Sequence, residues 1–177
     1  MFFAVCLVSS GGLIAGVIAL KNLRSRESDS MSTSLSYQTT STVAEEVRDQ
    51  ICSYINSLAS KYEWWCEPVC FFDDPNYPNF VKGNTKLFLL IDDPAIDSFM
   101  AHADATKITE LLADASKTFG VGWNLSLEGS PVGTIANGTL DEEASASLNS
   151  LLEICGMMGV DPMTLDREDI LKSHVDR

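Results

Sequence analysis

The 177-residue chain has little positive charge: 12 Lys and Arg stand against 25 Asp and Glu, a net charge of −13. That deficit excludes a nucleic-acid backbone as the main partner of the folded part, because phosphate binding runs on clustered Lys and Arg. Histidine is scarcer still, with only two in the chain, His102 and His174. A four-ligand zinc site would therefore need partners from distant segments. The five cysteines are scattered, and Cys66 and Cys70 bracket Glu-Pro-Val, which is the spacing of neither a zinc ribbon nor a redox pair. No phosphate-cradling glycine loop is present; Ser130 of Gly129-Ser-Pro-Val-Gly133 stands one residue off nucleophile-elbow spacing. No cofactor is called for.

What is present begins with an uncharged run, Met1 to Leu20, about as long as a bilayer-spanning helix needs (roughly 20 residues). Lys21, Arg24 and Arg26 follow it and no base precedes it, the reverse of a secretion signal. The expectation is a membrane anchor over 1–26 with the C-terminal part in the cytoplasm. Gly12 and Gly16 fit the small-xxx-small pattern by which two membrane helices approach, the expected contact of a homodimer. Translation from Met31 would instead leave a soluble cytoplasmic protein without that segment. Residues 27–41, rich in Ser and Thr, read as a flexible linker, and 42–177 as one acidic domain with 9 bases against 23 acids.

Within that domain Thr42-Val-Ala-Glu45 has capping-box form, and Val43, Val47, Ile51, Ile55, Leu58 and Tyr62 recur at helical spacing. Trp64–Phe72 reads as a strand displaced to an edge by Pro68, Asp73–Gly83 as a loop, and Leu87–Ile91 as a central strand. A helix opens at Asp92-Asp93-Pro94 and stops at Gly120, with Asp104 as a break between two apolar stretches. Val121–Leu127 alternates and returns through Gly129-Ser130-Pro131 as Val132–Ala136, which Asn137-Gly138 ends. Asp141 caps a helix burying Leu148, Leu151, Leu152 and Cys155, and a short last helix is expected near 165–174. The order α-β-β-α-β-β-α-α predicts an α+β two-layer sandwich with a small, mainly antiparallel sheet.

Leu87 to Ile96 resembles the first strand of a response-regulator receiver domain, in which acids at a strand end hold magnesium beside a phosphoacceptor aspartate. No later strand ends in an acceptor Asp, so the receiver reading is excluded. Asp92, Asp93 and Asp97 remain as a carboxylate cluster that a hard cation would favour, and with His102 they define one alternative reading, a metal-dependent hydrolase. Helix-initiating acids, favoured by the helix dipole, explain them better. The other alternative is a structural membrane subunit that self-associates through Gly12 and Gly16.

The most unusual local feature is aromatic density. Trp64, Trp65, Phe71, Phe72, Tyr77 and Phe80 fall within seventeen residues, beside Glu63, Glu67, Asp73 and Asp74. Trp64, Trp65, Tyr77 and Phe80, rimmed by Glu67, Asp73 and Asp74, are the expected partner-binding residues, suited to a basic protein. With no catalytic set assembled, the leading expectation is a non-enzymatic binding module. In charge and size it is similar to small acidic α+β immunity and antitoxin proteins, a likeness of class rather than of sequence.

Overall fold

The structure is a computed structural model and describes residues 32–88, 93–161, 164–166, 168 and 170. It opens on strand β1 (Ser32–Thr39), in the segment expected to be a flexible linker. Leu35, Tyr37 and Thr39 are buried, while Ser34, Ser36 and Gln38 lie half-buried on the other side. The segment is thus a one-faced strand whose polar half is serine, and Thr, Tyr and Leu suit the pleat. Its Ser/Thr composition hides that period of two.

Helix α1 (Glu45–Ala59) buries Ile51, Ile55 and Ala59. The expected capping box does not form: Ala44 is the N-cap, without a side-chain bond. The Val43 amide instead donates to the Asn79 carbonyl (2.8 Å), tying the helix entrance to the loop that follows β2. Of the expected strand Trp64–Phe72 only β2 (Phe71–Phe72) is regular. Strand β3 (Lys82–Phe88) starts inside the expected loop and alternates, with Gly83, Thr85 and Leu87 inward and Lys82, Asn84 and Lys86 outward. It is half-buried, and of the expected central strand Leu87–Ile91 it holds only Leu87 and Phe88, since 89–91 lie outside the described residues.

Helix α2 (Pro94–Phe119) is one unbroken helix of 26 residues. The Asp93 carboxylate caps it by accepting from the Ala95 and Ile96 amides (both 3.2 Å), and Gly120 ends it at φ 68°. Asp104 does not break it; its side chain leaves the helix to bind another segment, described below. Strands β4 (Trp123–Leu127) and β5 (Ser130–Ala136) form a hairpin through Glu128 (φ 50°) and Gly129 (φ 75°). The turn therefore falls one residue before the expected Gly129–Pro131, since a two-residue hairpin needs left-handed φ. Asn137-Gly138 makes a second such turn into β6 (Thr139–Leu140) rather than only ending a strand.

Helix α3 (Glu142–Met157) is capped by Asp141, whose Oδ1 accepts from the Ala144 amide (2.8 Å). Its Oδ2 accepts from the Thr134 amide (2.7 Å) and hydroxyl (2.8 Å), so one carboxylate both caps the helix and seals the edge of β5. These bonds, the Ala144 amide first, hold the Asp141 carboxyl below its usual range. A depressed pKa in the folded state gives stability present above the unfolded value and lost as pH falls through the folded one. Asp141→Ala is expected to cost about 1–2 kcal/mol at neutral pH. In urea titrations that difference should shrink below about pH 4, near the unfolded carboxylate value. Leu148 and Cys155 are buried on α3 as expected, whereas Leu151 and Leu152 are only half-buried.

The fold is α+β: among the described residues a six-stranded antiparallel sheet in the order β2-β3-β1-β4-β5-β6 stands with three helices. One core joins Leu35, Tyr37, Trp123 and Ile135 of the sheet to Ile51 and Ile55 of α1, Ile108 and Leu112 of α2, and Leu148 of α3. The expected last helix lies largely outside the described residues, as do 1–26 with Gly12 and Gly16. The transmembrane expectation is corrected: no helix among the described residues is long and apolar enough to cross a membrane.

Candidate functional site

The pleat of β2 separates its two phenylalanines. Phe71 turns inward against Tyr37 (5.7 Å between ring centroids, edge to face), and Phe72 turns outward, 50% exposed. Lys82 pairs with Phe72 across the ladder. Its ammonium lies 2.7 Å from an Asp74 carboxylate oxygen and 3.9 Å from the Tyr77 ring centroid. The Lys82 bond, helped by the Asn76 amide, holds the Asp74 carboxyl below its ordinary range. Tyr77 is 52% exposed and packs edge-on against Phe80 (6.1 Å).

Arg48 of α1 closes the other side of this loop. Its Nη1 donates to the Pro78 carbonyl (3.0 Å) and lies 3.4 Å from Asp73, with Nε 3.7 Å from Asp49. The two cations thus fix the loop's shape, while the Asp49 and Asp73 side chains stay 71% and 85% exposed. A cleft of about 160 Å³ between α1 and this loop is lined by Cys52, Phe71, Phe80 and Val81 among others. Burial pushes the Cys52 thiol up to about 11, so at neutral pH it is a thiol and a poor nucleophile.

The other predicted residues have different neighbours. Trp64 is half-buried, donates from Nε1 to the Ala59 carbonyl (3.1 Å) and meets Tyr62 edge to face (4.7 Å). Trp65 packs against Phe99 of α2 (6.4 Å). Their segment is not a strand because buried Asp104 takes its amides: Trp65 N at 3.0 Å and Cys66 N at 2.7 Å from Oδ2. Glu67 accepts from the Lys86 amide (3.4 Å) at the β3 edge. Without a regular strand the Cys66 and Cys70 side chains do not share an interior face, and Cys70 is exposed. The Tyr37 hydroxyl donates to the Cys70 carbonyl and accepts from its amide (both 2.9 Å), fastening the segment to the sheet. Burial drives the Tyr37 pKa far up, so the hydroxyl stays protonated for that role.

The structure therefore groups Tyr77, Phe80, Asp73 and Asp74 and packs Trp64, Trp65 and Glu67 against other partners. Sequence reasoning missed Phe72, Arg48 and Asp49 as part of the group. Phe72 was findable from the parity of a strand-forming Phe-Phe pair with one ring outward. In the carboxylate cluster, Asp93 serves as the α2 cap, Asp97 is 2% exposed, and Asp92 lies outside the described residues. His102 is half-buried, 3.5 Å from the Thr106 hydroxyl; burial lowers its pKa and a bond with Asn149 opposes that. Among the described residues no group of three or more His, Cys, Asp or Glu is placed to hold a metal ion. Comparison with protein-family models, curated proteins and solved structures finds no match for the chain.

Proposed function

We propose that the protein is a binding module that captures a basic protein partner on the corner formed by Phe72, Tyr77, Asp73 and Asp49. The observation that carries this reading is the pair of half-exposed aromatic side chains, Phe72 at the end of β2 and Tyr77 on the loop that Arg48 and Lys82 hold in shape. Rigid aromatic anchors lose little entropy on docking, and carboxylates around them steer a cationic surface. The net charge of −13 adds to that steering.

Docking by added strands is disfavoured on the parts of β3 and β5 that reach beyond the short edge strands β2 and β6, because backbone there is already bonded. The outer edge of β3 gives its Asn84 and Lys86 amides to the Cys70 carbonyl and Glu67, and that of β5 is sealed by Asp141. The reading therefore rests on side chains rather than backbone.

The test is affinity capture with tagged wild-type and Phe72→Ser/Tyr77→Ala protein, followed by titration of the captured basic partner. Both side chains are half-exposed, so thermal stability should change little. Affinity should fall at least about a hundredfold, as loss of two hot-spot aromatics implies. A partner bound equally well by the double variant would remove this surface from the argument.

A further inference from the structure

A second cleft, of about 370 Å³, opens at the C-terminal end of α1, lined by Asn56, Ala59, Ser60, Tyr62, Trp64 and Val69 among others. We infer that it receives the ammonium head of an N-alkylated lysine side chain; the protein source of that lysine rests on the docking reading above, the chemistry of the cleft does not. The Tyr62 and Trp64 rings meet at 79° with centroids 4.7 Å apart, so they form two walls at nearly a right angle.

Both walls are fixed by their polar atoms. The Trp64 indole N–H is bonded to the Ala59 carbonyl, and the Tyr62 hydroxyl is bonded to Asp104. A site whose rings need not be ordered on binding loses less affinity to entropy. Electrostatics favour a cation at this place. The carbonyl end of a helix carries partial negative charge, and the last turn of α1 holds no basic residue to neutralise it. Aromatic faces add their own attraction. The Lys107 ammonium, 5.7 Å from the Tyr62 centroid, is not part of the cleft lining and is held by Glu110 at 3.0 Å.

The degree of alkylation follows from what lines the cleft. Its lining is neutral side chains, with no carboxylate to replace the water that a bare lysine ammonium would give up. A trimethylated ammonium is weakly hydrated and spreads its charge over methyl groups that contact rings and Val69 directly. That head group loses least on entry and gains most from the two aromatic faces.

The experiment uses the full chain and follows the Trp64 indole N–H resonance. The probes are Nα-acetyl-trimethyllysine amide, its neutral tert-butyl isostere, and choline. The lysine derivative is expected to give a saturable shift, with the isostere at least about tenfold weaker. Asn56→Lys places a resident ammonium at the rim of the cleft and should abolish the shift. Asn56 is exposed, and a cation there complements the helix end, so the fold is retained. Asn56→Ala should bind as wild type does.

Equal affinity for the isostere would show a merely apolar cleft and overturn the inference, as would the absence of any saturable shift. Choline binding tenfold tighter than the lysine derivative would overturn the lysine assignment in favour of a small quaternary amine. Phe72→Ser/Tyr77→Ala should leave this titration unchanged, so failure of the corner as a docking surface is read separately from failure of the cleft.

Discussion

Asp104→Ala is expected to destabilise the protein by about 2–4 kcal/mol, because it strips a shared carboxylate from two part-buried amides and leaves a cavity at a fully buried position. Asp104 itself is fully buried, and its carboxylate accepts from the amides of Trp65 and Cys66, with further bonds to the Tyr62 hydroxyl and Cys66 thiol. A 26-residue helix thereby holds an irregular segment that has few ladder bonds of its own. Asp104→Asn keeps one accepting oxygen and should cost less, about 1–2 kcal/mol.

The pH dependence gives this residue a signature opposite to that of Asp141. Burial raises the Asp104 pKa, outweighing the hydrogen bonds that lower it. A raised carboxyl favours the folded state most when protonated: its contribution is complete below the unfolded pKa and declines as pH rises through the folded one. The stability gap between wild type and Asp104→Ala should therefore widen as pH falls toward about 4, where the gap for Asp141→Ala begins to close. Chemical denaturation of both variants at pH 4 and 7 checks this. Gaps moving in the same direction would refute the assignment of burial as the dominant influence on Asp104.

The second large effect belongs to Gly83→Ala. Gly83 sits in β3 opposite Tyr37 and Phe71, and a Cβ there would run into the Tyr37 ring and the Cys70 carbonyl. The ring cannot retreat, since its hydroxyl is bonded to both backbone groups of Cys70 and to Thr85. The carbonyl is backbone and equally fixed. Overpacking of a closed core costs about 1–3 kcal/mol where side chains can shift, and this site lies at the upper end or beyond. Expected results are a thermal midpoint lowered by about 10 °C or more and loss of the near-ultraviolet signal of the Tyr37–Phe71–Trp123 cluster. An unshifted midpoint would show that the Tyr37–Cys70 junction is soft.

The parts of the fold legible in the sequence are those whose signals are local. Asp93-Pro94 and Gly120 bound α2 because capping chemistry depends only on neighbours, and the alternation Trp123–Leu127 marks β4 for the same reason. β1 was illegible because its serines imitate a linker, and only a sheet on both sides makes Leu35 and Tyr37 a buried face. Asp104 looked like a helix breaker because its role depends on amides about 40 residues upstream. At the candidate site, Tyr77 and Asp73 stood out by composition. The separate settings of Trp64 and Trp65 are set by Ala59 and Phe99, contacts that spacing along the chain does not encode.

The position of β1 also sets the order in which the sheet can be assembled. Ser36 pairs with Asn84 on one side and with Ser126 on the other, about 50 and 90 residues later. During synthesis this strand leaves the ribosome early and waits with both edges open until β3 and then β4 emerge. Such distant closures slow folding and leave an unpaired strand able to stick to others. Its outer face of Ser34, Ser36 and Gln38 keeps the waiting segment polar on one side, so the serines that disguise the strand also protect the nascent chain.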